Sequence, residues 1–307
     1  MKNKITIGTR SSKLALWQAN HIKEELLKIY PDLEINLKEI KTKGDHITDV
    51  ALSKIGGKGL FTKEIEEELL KNEVDLAAHS LKIGAILKRE DPHDVLISKN
   101  KTRFKDLLPE SFVGTSSLRR TAQLKHIRQD LEYIELRGNL DTRIRKLEEG
   151  HYDAIVLAYA GVKRLGFHTL ITEHFRPDEI LPAVGQGALA IEIRENDPKI
   201  EKLISKLNHN ETFLISICER ALLETLQGGC QVPIGAYSEI EDGKIILHGI
   251  IASLDGKRIV RDKAESVLEE KECKNLGIKL AEMLLQNGGK EILENIRSVS
   301  PVQISPT

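Results

Sequence analysis

One cysteine lies in a stretch whose glycines and proline favour a shaped, open turn. Residues 226–235 run Leu-Gln-Gly-Gly-Cys-Gln-Val-Pro-Ile-Gly, so Gly228 and Gly229 precede Cys230 and Pro233 follows it. Glycine allows backbone angles closed to other residues, and proline stiffens the chain after the turn. A thiol held in this way could carry a covalent intermediate, although a lone cysteine is more often a small buried apolar side chain. The stretch by itself leaves both interpretations open.

A second set of residues suited to chemistry lies where predicted strands are followed by helices. Serine and threonine hydroxyls stand at both such junctions, in residues 7–12 and 113–117. Free backbone N–H groups at a helix start bind anions, and the arginine fork matches a carboxylate in a bidentate way. Arginines accompany these junctions or the next one: Arg10, Arg119, Arg120, Arg137 and Arg143. A single arginine usually forms a surface salt bridge, but this set predicts a site for a polyanion.

Polycarboxylate is favoured over phosphate as the ligand. The sequence has no Walker A motif and no GxGxxG after a predicted strand. Nor does it contain HExxH or a Cys/His cluster that would indicate a metal. Residues 42–60 are rich in glycine and carry Lys54 and Lys58, so they could form a mobile basic loop that closes over a bound anion, or a simple solvated connection.

The elements that must position these residues follow an α/β pattern. Residues 4–9, 11–30 and 33–40 have the patterns of a strand, a helix and a second strand, and this order favours a parallel or mixed sheet covered by helices. The motif of residues 7–12 is echoed at 113–117, which predicts two α/β domains of similar plan facing each other. We expect domain 1 at 1–88 with 187–206, domain 2 at 93–182, and a smaller α/β domain 3 at 211–307.

Composition narrows the partners and the setting. Among 307 residues, 40% are hydrophobic and 30% are charged, and the net charge is -1, which argues against a general nucleic-acid binder. The three cysteines contain no CxxC, so we expect neither a disulfide framework nor a metal site. No apolar run is long enough for a membrane span, and the N-terminus enters a strand pattern directly. We therefore expect a cytoplasmic protein without a membrane or nucleic-acid partner, and a monomer.

Seven stretches, in order along almost the whole chain, resemble the porphobilinogen deaminase family, also called hydroxymethylbilane synthases. They are residues 8–18, 54–61, 79–82, 113–120, 136–139, 181–187 and 228–233. The resemblance implies a transferase of porphyrin and heme biosynthesis with two domains like type-II periplasmic binding proteins and a third that carries Cys230. It also implies a dipyrromethane cofactor attached to Cys230 through a thioether. On this primer, four porphobilinogen molecules would be deaminated and joined head to tail, and water would release hydroxymethylbilane.

The same resemblance implies roles for single residues. Lys82, Ser117, Arg119 and Arg120 would hold the carboxylates of the cofactor, and Ser12 would line its site. Arg10, Arg137 and Arg143 would serve the incoming ring and its deamination, together with Lys82 and Gln186. Lys54 and Lys58 would belong to the covering loop.

One departure from the family pattern concerns chemistry. The family places an aspartate directly after His-Ser-Leu-Lys, and its carboxylate stabilises positive charge on the pyrrole nitrogen and helps to move protons. Here Ile83 follows Lys82, and the chain is short by about ten residues at this point. Either the sequence omits a flexible segment or the deletion is real; a strand that must return across the domain with no loop favours omission. A real deletion predicts crippled cofactor assembly and turnover, and a non-catalytic carboxylate- or tetrapyrrole-binding protein is then the alternative.

Overall fold

The computed structural model describes residues 4–43, 62–78, 83–229 and 231–299. These residues form two five-stranded mixed sheets and one three-stranded antiparallel sheet. The predicted class, α/β with two mixed-sheet units and a smaller third unit, is confirmed. The limits of the three domains stay a prediction. Each sheet defines one unit, and the units are numbered first, second and third along the chain. In the described part of the chain, no helix is both long and apolar enough to cross a membrane.

The first unit contains the sheet β2-β1-β3-β10-β4. Its elements are β1 (Lys4–Thr9), α1 (Lys13–Ile29), β2 (Glu34–Glu39), α2 (Lys63–Leu70), β3 (Leu76–Ala78), β4 (Ile83–Ile86), β10 (Ala190–Ile193) and α6 (Pro198–Ile204). Ile5 and Ile7 alternate along β1, whereas Ile22 and Leu26 recur at helical spacing on α1, so both elements turn their apolar faces into one core.

The second unit contains the sheet β7-β6-β8-β5-β9. Its elements are β5 (Asp94–Ser98), β6 (Phe112–Gly114), α3 (Leu118–Ile127), β7 (Glu132–Ile134), α4 (Leu140–Glu148), β8 (Ala154–Ala158), α5 (Tyr159–Arg164) and β9 (Glu173–His174). β6 lies parallel to β7 and β8, as β1 lies parallel to β2 and β3. The duplication that the paired motifs predicted is therefore confirmed by the strand order.

In each of these two sheets, one inner strand begins where the chain has just crossed over from the other unit. β5 enters the second unit after a first linker, residues 87–93, and β10 returns to the first unit after a second linker, residues 175–189. Both strands run antiparallel to their two neighbours. The sequence pattern predicted a longer crossing strand at 181–193; the strand is shorter because Gly185 and Gly187 take φ values of 69° and 86°, outside the range of a strand.

The two units differ in one connection. β3 and β4 lie parallel on either side of β10, and Ala78 and Ala85 both pair with Ile191. β8 and β9 flank β5 in the same way. Fourteen residues, 159–172, make this crossover in the second unit, whereas four residues, 79–82, are available in the first. Parallel strands normally need a connection of about a dozen residues or more. The shortening coincides with the departure at Ile83.

The third unit is an antiparallel sheet covered by helices. Its elements are α7 (Asn210–Thr225), β11 (Ile234–Glu241), β12 (Lys244–Ala252), β13 (Ile259–Val267), α8 (Glu270–Leu284) and α9 (Lys290–Val299). Gly277 on α8 lies so close to α7 that a Cβ atom there would stand 2.3 Å from the carbonyl oxygen of Cys218. The absence of a side chain at Gly277 therefore lets the two helices pack, with Cys218 and Cys273 buried in the core.

Candidate anion-binding site

A buried carboxylate organises the first pair of arginines. Asp94, at the start of β5, has no exposed surface. Arg119 donates from Nη1 to Asp94 Oδ2 at 2.7 Å, and Arg120 donates to Oδ1 from Nη2 at 2.8 Å and from Nε at 3.0 Å. Both arginines lie in the first turn of α3, where the sequence predicted an anion site. Two guanidinium groups against one carboxylate leave the cluster with a net positive charge.

The electrostatics of Asp94 follow from this arrangement. Burial by itself raises the pKa of a carboxyl group, but the charges of Arg119 and Arg120 outweigh burial and lower the pKa of Asp94 to about 2. Arg119 keeps one donor in reserve, because its Nε atom is buried with no hydrogen-bond partner among the described residues. A buried donor without a partner is costly, so a ligand carboxylate at Arg119 would relieve that cost.

Gln186 brings the second linker onto the same cluster. Its Nε2 atom donates to Asp94 Oδ1 at 2.9 Å and to the carbonyl oxygen of Pro92, and its Oε1 atom accepts from Arg119 Nη2 at 3.3 Å. The two linkers touch beside it: a Cβ atom on Gly187 would lie 2.3 Å from the carbonyl oxygen of Glu90. Gly187 is therefore needed for the approach that places Gln186.

Arg137 and Arg143 form the more open part of the cluster. Arg137 donates from Nε to Glu135 Oε1 at 2.6 Å, while its Nη2 atom is buried without a partner in the described ranges. Arg143 donates from Nε to the carbonyl oxygen of Gly138 at 2.8 Å. Burial lowers the pKa of Arg143 to about 10, and repulsion from Arg120 and Arg137 acts in the same direction. Neighbouring arginines that lower one another's pKa are typical of a site that binds an anion.

The two serines that the sequence placed at this site cap helices. Ser12 accepts through Oγ from the backbone N–H of Ala15 at 3.3 Å, and Ser117 accepts from that of Arg120 at 3.4 Å. Each hydroxyl keeps its own proton to donate. The predicted strand-to-helix junctions at both serines are thus confirmed as helix starts.

Arg10 lines a cavity that none of the clustered arginines lines. A cavity of ≈ 500 Å³ lies between the first unit, the second linker and α7, and Arg10, Gly185, Arg220 and Glu224 are among the residues that line it. Arg220 and Glu224 are an ion pair one turn apart on α7, 3.7 Å between Nη2 and Oε1. The sequence interpretation did not include them in the site, although α7 leads directly towards the Cys230 stretch.

Four predicted site residues lie outside the described residues: Lys54, Lys58, Lys82 and Cys230. Their roles stay predictions. The flank of Cys230 is described up to Gly229, and there Gly228 packs so tightly that a Cβ atom would stand 2.5 Å from Leu223 Cδ1.

Asp94 is the main residue of the site that sequence reasoning missed. It lies in a Glu-Asp-Pro-His-Asp run that looks like a solvated linker, directly before an apolar strand. The local signal was that it is the last acid of this run and begins a strand whose residues are all buried.

The fold and the arginine cluster define a protein with two α/β units of similar plan, a cationic cluster on the second of them, and a third, smaller unit. Residues 5–202 match the family model "Porphobilinogen deaminase, dipyromethane cofactor binding domain", and residues 213–286 match "Porphobilinogen deaminase, C-terminal domain". The chain belongs to the porphobilinogen deaminase family.

Relatives and solved structures extend the comparison. The porphobilinogen deaminase of Chloroherpeton thalassium is 51% identical over an alignment of 311 positions, which covers 97% of this chain and 99% of the relative. That of Carboxydothermus hydrogenoformans is 50% identical over an alignment of 308 positions, which covers 97% of this chain and 98% of the relative. Among solved structures, the methionine-binding protein MetQ is similar with a TM-score of 0.45 and 12% identity, over 71% of this chain and 96% of MetQ.

Proposed function

We propose that the protein is a hydroxymethylbilane synthase, a transferase that deaminates four porphobilinogen molecules and joins them head to tail on a covalently attached dipyrromethane. The observation that carries this proposal is the cationic cluster of Arg120, Arg137 and Arg143, whose charge is offset only in part by nearby carboxylates, in a chain of that family. Each pyrrole ring of the substrate carries an acetate and a propionate. The growing product is therefore a polycarboxylate, which is the ligand class that the cluster suits.

The residues fit a dipyrromethane with its four carboxylates. Arg119 Nε and Arg137 Nη2 are buried donors without partners in the described part of the chain, so each could donate to a ligand oxygen without giving up an existing hydrogen bond. Ser117 and the start of α3 add hydroxyl and backbone donors. Cys230 is the proposed attachment site, and when bound, the dipyrromethane would supply the nucleophilic pyrrole carbon to which the first ring is joined, each later ring being joined to the terminal pyrrole of the growing chain.

The protein's own groups would bind and orient the reacting ring. Arg137 and Arg143 would hold the acetate and propionate of the incoming porphobilinogen, with Lys82 as a further cation, while Arg10 would act from the cavity that it lines. Loss of ammonia leaves that ring electrophilic. Gln186 would keep Asp94 and Arg119 in register, so the carboxylates stay fixed while the rings meet. Lys54 and Lys58 would cover the site.

The alternative of a non-catalytic binding protein rests on one feature of the sequence, and membership of the porphobilinogen deaminase family does not favour it. The aspartate that the family places after Lys82 is absent from this sequence, and the strands on either side leave only four residues for the crossover. A protein with this deletion would keep the cationic cluster but lose its main catalytic carboxylate. It would then bind polycarboxylates or tetrapyrroles without turnover.

Intact mass under denaturing conditions tests the proposal. We expect a mass above the 34.4 kDa of the chain by one dipyrromethane, and stepwise additions of pyrrole rings after porphobilinogen is supplied. The adduct should disappear in Cys230→Ser, whereas Cys218→Ser, which changes a buried core cysteine, should keep it. A mass equal to the bare chain with no hydroxymethylbilane formed would contradict the proposal. An excess of about ten further residues would show that the missing segment is present.

The setting of this activity is also proposed. We place it in the cytoplasm, in a monomer whose partner is its small-molecule substrate. A net charge of -1 suits neither nucleic acid nor an anionic membrane surface, and the buried thiols Cys218 and Cys273 suit a reducing compartment. Size-exclusion chromatography with light scattering checks the monomer: a mass of two chains would contradict it.

A further inference from the structure

A fully buried glutamate joins the third unit to both linkers. Glu219 on α7 has no exposed surface. Its Oε1 atom accepts from Arg89 Nη1 at 2.7 Å and from the backbone N–H of Ser238 at 3.0 Å, and its Oε2 atom accepts from Arg89 Nη2 at 3.2 Å and from the N–H of Gly185 at 2.8 Å. One carboxylate thus contacts the first linker, the second linker and β11.

Arg89 carries the connection from Glu219 to Gln186. Its side chain is 9% exposed, and its two terminal nitrogens form a fork on Glu219. The remaining donor, Nε, points to the second linker and donates to the carbonyl oxygen of Gln186 at 2.8 Å. The backbone N–H of Arg89 donates to Thr212 Oγ1 at 3.0 Å, which is a separate contact with α7.

The path continues from Gln186 into the anion site. The backbone of Gln186 is held by Arg89, and its side chain contacts Asp94 at 2.9 Å and Arg119 at 3.3 Å. A continuous series of hydrogen bonds therefore runs from Glu219 through Arg89 and Gln186 to the arginine that keeps a donor in reserve.

A role in stability alone does not explain this geometry. Buried ion pairs contribute little net stability, because desolvation offsets their attraction. A pair that served only to join α7 to the first linker would need no contact with the second. Here both partners contact the residues that place Gln186: Glu219 binds the N–H of Gly185, and Arg89 binds the carbonyl oxygen of Gln186.

We propose that Arg89 and Glu219 are positioning residues, which hold Gln186 against Asp94 and so orient Arg119 towards the carboxylates of the primer. This inference rests on the proposed function for the role of Arg119, but the connection itself is a property of the linkers. The third unit, which carries the proposed attachment site, would thereby fix the carboxylate-binding site of the second unit.

Arg89→Lys tests the connection. Lysine keeps a charge for Glu219 but lacks the planar fork, so the bond to Gln186 is lost. We expect kcat for hydroxymethylbilane formation to fall about tenfold or more while KM for porphobilinogen stays within about twofold, because the incoming ring is held by other arginines. Backbone amides of residues 183–188 should exchange hydrogen about tenfold faster. Glu219→Asp should change the same readouts in the same direction.

Thr212→Val is the matched control. It removes the acceptor of the Arg89 N–H at the same junction without touching the path to Gln186. Its kcat and the exchange of residues 183–188 should match wild type even if its melting temperature falls. Equal losses of kcat in Arg89→Lys and Thr212→Val, in proportion to melting temperature, would overturn the inference. If wild type carries no primer and forms no product, the proposed function fails, and unchanged exchange in Arg89→Lys would then still overturn the connection.

Discussion

The first and second units share a strand order but differ in how the chain crosses their sheets. In the second unit, residues 159–172 connect β8 to β9 and include α5; in the first, residues 79–82 connect β3 to β4. The second unit also holds a complete cationic cluster around Asp94, whereas Arg10 of the first unit lines an open cavity. The first unit thus keeps the strand order of the second, although four residues make the crossover that takes fourteen in the second.

The longer crossover also forms contacts between the two units. Arg164, at the end of α5, donates to the carbonyl oxygen of Gly187 at 2.7 Å and lies over the ring of Trp17, 5.3 Å from its centroid. Outside the crossover, Lys13 and Asp141 form a further ion pair of 3.0 Å between α1 and α4. The crossover of the second unit therefore helps to set the position of the first.

The largest effect should come from restoring the crossover of the first unit. Insertion of about ten residues that begin with aspartate between Lys82 and Ile83 should raise hydroxymethylbilane formation by about 100-fold or more, because the carboxylate stabilises positive charge in the reacting ring. The control is the same insertion beginning with asparagine, which restores length without charge. If the unmodified chain already forms product as fast as the aspartate variant, the expectation that the short crossover limits the rate would be wrong. The measurement is the initial rate of product formation.

A large loss of stability is expected from Asp94→Asn. This change leaves Arg119 and Arg120 buried without their carboxylate, and the free energy of unfolding should fall by about 3–5 kcal/mol. Urea denaturation measures it. Asp130→Asn, which breaks the exposed ion pair with Arg128, should leave the unfolding midpoint close to wild type. Equal losses of unfolding free energy in the two variants would show that the buried cluster contributes no more to stability than an exposed ion pair.

Low pH should remove the contribution of Asp94 to folding stability over a defined pH interval. Its pKa is lowered in the folded protein to about 2 from an ordinary 3.8, so its stabilisation is fully present above pH 4 and is lost as the pH falls towards 2. The difference in unfolding free energy between wild type and Asp94→Asn should therefore narrow by about 2 kcal/mol between pH 5 and pH 2. A difference that stays constant over this interval would contradict the assignment.

The smallest effect should come from the ion pair between the units. Lys13 is largely exposed, with 71% of its side chain accessible, and exposed pairs contribute little. Lys13→Met should shift the melting temperature by no more than about 2 °C. A larger decrease, measured by calorimetry at low and at high salt, would mean that this pair holds the units together more strongly than its exposure indicates.

Sequence predicted the parts of the site that depend on local signals. Ser12 and Ser117 start helices because a hydroxyl before an apolar-periodic stretch caps the free N–H groups there. Arg119 and Arg120 follow from the same junction. Asp94 and Glu219 could not be predicted in this way, because their partners lie 25 and 130 residues away along the chain. The crossing strand at 181–193 was too long, since its glycines adopt turn conformations. Cys230, Lys82, Lys54 and Lys58 stay predictions.

The exchange of strands between the units has a consequence for synthesis on the ribosome. β10 is an inner strand of the first sheet, yet it ends at Ile193, whereas the second sheet has all its strands once His174 has been made. We therefore expect the second sheet, although it is encoded later, to fold first. The N-terminal strands of the first sheet can complete their sheet only after β10, about a hundred residues downstream, has been synthesised. The order of synthesis and the order of folding would thus be reversed for these two sheets.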